Sequence, residues 1–149
     1  ADAAMSRRAA YLKVGWESFL EHPLIGTGTN TFKNVWYHSQ TSRYYKHELR
    51  YAHNTYMEVL VGSGIFGLIF FLCILGRAFF NYSRAIDTFR RAGIPEYVSF
   101  ISAYRLSFIG MCAYLFILSA IEHKLLLLGI ALSQVSLRLA EEHTENEQP

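Results

Sequence analysis

The chain has 149 residues, of which 52% are hydrophobic, 15% aromatic and only 17% charged. An average soluble domain is about 25% charged, so this composition argues against a disordered chain and against an ordinary soluble enzyme, and points to a membrane protein with segregated polarity. Fourteen basic residues stand against 12 acidic ones, yet Glu141, Glu142, Glu145 and Glu147 crowd the last nine positions, so the body before them carries +6, fourteen basic against eight acidic. That excess suits phosphate or anionic lipid and is too small and dispersed for a nucleic-acid partner.

The chain opens ADAAMSRRAAYLKVGW, arginines with no continuous apolar run behind them, so no secretory signal is legible. If this end lies outside the cytoplasm, a preceding segment put it there. Met5, Ala9, Leu12, Trp16 and Phe19 recur at spacings of four and three, which predicts a helix with these residues on one stripe, lying along the membrane or against other helices. Pro23 and the glycines of PLIGTG end it. Thr27 to Tyr51, rich in aromatics, Thr, Asn and Ser with little periodicity, reads as an irregular external loop that could hold one short helix.

From Val59 to Gly76 no charge occurs over 18 residues, and with its flanks this run can cross a hydrocarbon core of about 30 Å. A second uncharged run, Leu106 to Ile121, reaches span length if Arg105 snorkels or faces protein. The third, Leu125 to Leu137, contains Ser133, Gln134 and Ser136 and is either a tilted span or a half-inserted helix, the span being favoured. Cys73 and Cys112 fall inside apolar runs as small hydrophobes.

The expected fold class is all-α: about three transmembrane helices, near 56–80, 98–121 and 124–138, preceded by a partly helical external loop over 1–55. Arg77, Arg84, Arg90, Arg91, Arg105 and Arg138 on one side outnumber Arg43, Lys46, Arg50 and Lys124 on the other. This bias makes 81–97 a cytoplasmic loop and 139–149 an acidic cytoplasmic tail, with 1–55 on the outer face.

Arg50, His53, Asn54 and Glu58 gather where the loop meets the first span, followed by Gly62, Gly64 and Gly67 on the helix. Such glycines admit a close neighbour, and a histidine at an interface can accept a proton near neutral pH. On spacing alone the plainer reading is favoured, in which His53 and Asn54 cap the helix and Gly64 and Gly67 serve packing. His47, Glu48 and His53 do not make a metal site, because H-E-x-x-H requires histidines four apart on one helical face and these are six apart. The GTG of PLIGTGTN lacks the lysine and length of a P-loop and reads as a turn. His22, His38, His123 and His143 read as surface or interface residues, and Arg105 as a snorkelling residue or a buried functional charge.

The string HNTYMEVLVGSGIFG, that is His53, Asn54, nine residues, Gly64, two residues and Gly67, resembles the signature of the O-antigen ligase family. The upstream SRRAAYLKVGWESFLEHPLIGTGTNTF is similar to the opening of that family's external loop, with an arginine before an amphipathic helix and then P-x-x-G-x-G-x-x-x-F, here Pro23, Gly26, Gly28 and Phe32. These motifs cover roughly the first half of the chain.

The resemblance implies a polytopic bacterial inner-membrane glycosyltransferase acting on the periplasmic face. Its donor would be a glycan on undecaprenyl pyrophosphate, and its acceptor hydroxyl would belong to the lipid A core or a growing polysaccharide; some relatives glycosylate protein. Membrane lipids surround it. By motif position His53 is the implied base, Arg8 the implied pyrophosphate ligand, and Arg50 and Arg7 secondary candidates for that role. Asn54, Gly64, Gly67, Pro23, Gly26 and Gly28 are the motif's structural residues. No cofactor or metal is expected, because the phosphate leaving group already activates the donor.

Members of this family are usually several hundred residues long with around a dozen spans. The chain is therefore expected to be a C-terminal piece whose partner is the upstream transmembrane part of the same enzyme, and to be inactive by itself. The alternative is a non-catalytic membrane subunit or remnant that binds lipid-linked glycan or partner helices.

Overall fold

A computed structural model describes residues 2–45, 48–119 and 124–146 of the chain. Lys46, His47, Glu122, His123 and Glu147, which entered the charge, metal and topology expectations, lie outside the described residues. So does the side chain of Met5. The described residues form five α-helices, α1 Asp2–Glu21, α2 Phe32–His38, α3 Thr55–Arg91, α4 Pro95–Tyr114 and α5 Lys124–Asn146, with a 3-10 turn at Thr41–Tyr44. Among the described residues there is no strand. The chain divides into two compact units: Ala1–Leu72 with Tyr114–Ile121, and Cys73–Ala113 with Glu122–Pro149.

In the first unit, α1 packs on α2 around a core of Ala10, Tyr11, Val14, Phe32, Trp36, Ala52 and Val61. The Tyr11 and Trp36 rings meet edge to face, with centroids 4.5 Å apart, the arrangement that ring quadrupoles favour. The face of α1 turned to this core carries Ala10, Tyr11, Val14 and Ser18. It is not the stripe that the apolar spacing picks out: Leu12 and Trp16 are exposed, Trp16 at 51%, and Leu20 continues their line at 60%. The helix is apolar on two sides, so periodicity alone could not say which side meets protein.

Helix α3 is 37 residues long and is interrupted at Gly64, whose φ of 65° and ψ of −164° are not helical. It is the one described helix long and apolar enough to cross a membrane, where three spans were expected. Helix α4 carries Glu96, Arg105 and three serines along its length. In α5 the apolar part ends early at Arg138, Glu141 and Glu142. Polar side chains dilute both helices, which is why they differ from α3 in this respect.

The second unit holds the later part of α3 with α4 and α5. Its buried side chains include Tyr82, Ile86, Phe89, Ile101, Phe108, Leu126 and Leu137. The Tyr82 hydroxyl donates to the Gly129 carbonyl at 2.6 Å, tying α3 to α5. Arg105 is half-buried and faces protein, donating to Ser83 Oγ at 3.4 Å with its guanidinium 5.9 Å from the Phe79 ring centroid. The stretch 81–97, expected as a loop, is helical except at Ala92–Ile94. There Gly93 takes φ 73°, Ile94 N–H donates to Phe89 O and Gly93 N–H to Arg90 O, and Pro95 opens α4. A glycine-closed helix end followed by proline at the next helix start needs only a three-residue turn.

Candidate functional site

The two glycine motifs form one piece of structure. In an unbroken helix the Val61 carbonyl would accept Ile65 N–H, but the turn of backbone at Gly64 separates them. Ile65 N–H donates instead to Pro23 O at 2.8 Å, Val61 O accepts Thr27 N–H at 2.8 Å, and Gly62 O accepts Gly28 N–H at 2.9 Å. The segment Pro23–Gly28 thus satisfies the backbone groups that the break in α3 releases. The approach is close enough to exclude side chains: a Cβ at Gly26 would stand 2.5 Å from Val61 O, and one at Gly64 2.3 Å from Leu24 C and O. Both glycines also take positive φ, 68° and 65°. Gly67 fits directly over Ser63, whose Cβ would be 2.1 Å from an added Cβ.

The N-terminus of α3 is fixed with equal care. Asn54 Oδ1 accepts Met57 N–H at 3.0 Å, so Asn54 is the helix cap. Thr55 N–H donates to Leu115 O at 2.8 Å, and its hydroxyl to Leu118 O at 2.6 Å, anchoring the helix start to the segment after α4. His53, the other residue offered as a cap, does not act as one. Its backbone is left-handed at φ 51°, its N–H donates to Ser119 Oγ at 3.0 Å, and its ring lies 6.0 Å from the Tyr11 ring. A left-handed backbone is uncommon for a residue with a Cβ and costs on the order of 1–2 kcal/mol.

That conformation places His53 in a cleft of about 170 Å³ lined by Arg7, Arg8, Tyr11, Arg50 and His53. All four residues expected to carry chemistry therefore share one cleft, although 46 positions separate Arg7 from His53. Arg7, Arg8 and Tyr11 come from the first turns of α1, and Arg50 and His53 from the loop that feeds α3. Arg50 is paired with Glu48 at 2.5 Å. Three guanidinium groups around an open cleft can hold an anion with several oxygens, since each planar fork binds in two directions. The imidazole at the same cleft can take a proton from a group brought beside that anion.

Tyr11 was not anticipated, although its place one helical turn after Arg7 is the signal that could have found it. Ser119 was not anticipated either, and no local pattern marks it. His22 and His38 are exposed and line a separate cleft with Glu17, Glu21 and Gln40. Among the described residues no group of three His, Cys, Asp or Glu side chains could hold a metal ion.

Among the described residues, which are helical without strands, the one helix long and apolar enough to cross a membrane begins beside a cleft of three arginines and a histidine, and this defines a class: a helical protein with one long apolar helix and a cationic cleft at its start. Residues 1–72 match the model of the O-antigen ligase family, and this stretch is an O-antigen ligase-like region. The match stops at Leu72, where the first unit's opening segment also stops. The family is one of membrane proteins, glycosyltransferases of the O-antigen ligase and polymerase type that work on lipid-linked polysaccharide. No curated protein matches the chain.

Proposed function

We propose that this chain is the catalytic C-terminal part of an inner-membrane glycosyltransferase that moves a glycan from an undecaprenyl-pyrophosphate carrier to an acceptor hydroxyl. The observation that carries this reading is the convergence of Arg7, Arg8, Arg50 and His53 on one cleft at the start of α3. In this proposal 1–55 face the periplasm, α3 crosses the membrane, and the polyprenyl tail lies in the bilayer beside it. The cleft then sits at the depth of a lipid pyrophosphate.

The chemistry follows from the residue types. His53 accepts the proton of the incoming hydroxyl as its oxygen bonds to the anomeric carbon. The bond from that carbon to the phosphate oxygen breaks, and its electron pair leaves with the pyrophosphate. Arg7, Arg8 and Arg50 balance the charge that gathers on the departing oxygens, where fixed donors act most strongly. A base positioned in this way contributes about 10²- to 10⁴-fold. The acceptor is a lipid A core sugar or the end of a growing polysaccharide.

The test is transfer from a lipid-linked oligosaccharide in membranes that express the whole reading frame containing this chain. Loss of transfer in His53→Ala, with the protein still present in the membrane, is the expected result. Undiminished transfer in that variant removes the base assignment.

A further inference from the structure

The loop that carries His53 is held by a short chain of hydrogen bonds that the chemistry above does not use. Glu58, half-buried in the first turn of α3, points its carboxylate back at the loop. One oxygen, Oε1, accepts both the Ala52 N–H at 2.8 Å and the Ser119 hydroxyl at 2.5 Å. Ser119 Oγ in turn accepts the His53 N–H at 3.0 Å.

The direction of each bond is decided by chemistry. A serine has one proton to give, and Glu58 receives it, so the lone pairs of Oγ are left for the His53 amide. Among the described residues no lysine or arginine pairs with Glu58. Its charge is satisfied by these hydrogen bonds and by the N-terminal end of α3, where a carboxylate is favoured.

We infer that Glu58 and Ser119 are positioning residues for His53: together they tether the amides of Ala52 and His53 and so hold His53 in the left-handed conformation that directs the imidazole into the arginine cleft. The inference rests on the reading of His53 as the base. It also assigns a task to the segment after α4, which lies outside the family match yet belongs to the same compact unit. The strained φ of 51° at His53 persists because its amide is tethered on one side and the Ala52 amide on the other. When either tether is cut, the loop relaxes and the base leaves its place, while Arg7 and Arg8, carried on α1, stay where they are.

The experiment is steady-state transfer from a lipid-linked oligosaccharide in membranes expressing the whole reading frame, with donor concentration varied. Displacing a catalytic group by about 1 Å costs on the order of 100-fold. Glu58→Ala and Ser119→Ala are therefore expected to lower kcat by about 10- to 100-fold with donor KM unchanged. Glu58→Gln keeps an acceptor oxygen and Ser119→Thr keeps the hydroxyl, so both are expected to restore most of kcat. Native kcat in both alanine variants, or an equal loss in Glu58→Gln and Glu58→Ala, overturns the inference. His53→Ala in the same assay separates the two readings. If it is fully active, the base assignment falls and the positioning role falls with it. If it is inactive while Glu58→Ala and Ser119→Ala are native, only the positioning role falls.

Discussion

Pro23 and Ile65 are joined backbone to backbone: the Ile65 N–H donates to the Pro23 carbonyl at 2.8 Å, one residue past the break in α3 at Gly64. A proline that ends one helix thus receives the amide that a second helix gives up. The geometry allows no side chain at Gly64, where an added Cβ would lie 2.3 Å from Leu24 C and O and φ is 65°. Gly64→Ala is expected to destabilise the first unit by about 3 kcal/mol or more. Gly76, a helical glycine with nothing within 4 Å of an added Cβ, is the contrast; Gly76→Ala is expected to be neutral or to stabilise by up to about 1 kcal/mol. Thermal denaturation of the detergent-extracted protein, followed by circular dichroism, ranks the two. Equal midpoints for both variants would contradict the close packing of Pro23–Gly28 on the break in α3.

His53 offers a clean separation of fold from chemistry. Its φ of 51° suits glycine better than histidine, so His53→Gly removes the imidazole and relieves the backbone together. The variant is expected to be at least as stable as the parent and to lose transfer by about 10²- to 10⁴-fold. A melting midpoint well below the parent's would show that the His53 ring, and not its backbone, holds the loop.

Arg8 has no ion-pair partner among the described residues, whereas Arg50 is engaged by Glu48. Arg8→Ala is therefore expected to weaken inhibition by inorganic pyrophosphate by about 10- to 100-fold, the worth of one or two charge-assisted hydrogen bonds. Arg8→Lys is expected to recover only part of this, because an ammonium cannot grip two oxygens in a fixed plane. Unchanged inhibition in Arg8→Ala would remove Arg8 from the phosphate role.

The two tryptophans report on where α1 lies. Trp36 is buried at 1% exposure, while Trp16 is 51% exposed on a line with Leu12 and Leu20 and packs against Phe19 at 5.2 Å between centroids. An indole on an apolar helix face belongs at the headgroup boundary of a bilayer. In vesicles made with brominated lipids, the Trp16 fluorescence that remains in Trp36→Phe is expected to be quenched, and that of Trp36 in Trp16→Phe to be spared. The reverse pattern would turn α1 over.

Local reading went far where local forces decide. The helical spacing from Met5 to Phe19 identified α1, the uncharged run from Val59 to Gly76 identified the apolar part of α3, and P-L-I-G-T-G was legible as a turn because proline and glycine restrict or free single backbone torsions. It went less far where two answers shared one pattern. Helix α1 is apolar on two faces, and only packing against Trp36 and Phe32 shows that Tyr11 and Val14 face inward. The runs in α4 and α5 read as spans only with a snorkelling or protein-facing Arg105 in one and a tilted course in the other, and Arg105, Arg138 and their polar neighbours set both helices apart from α3.

What the sequence determined by itself was the helical class and the apolar helix, since these depend on composition and on spacings of a few residues, while Arg7, Arg8, Arg50 and His53 stood out in it only as candidates. What only the tertiary structure decided was their assembly: Arg7 and Arg8 reach His53 because α1 packs on α2 beside the loop that feeds α3, and Ser119 reaches His53 from 66 positions away. Contacts across such distances are set by which faces bury together and by which backbone amides lack a helical partner. Neither quantity has a period that a linear pattern can carry.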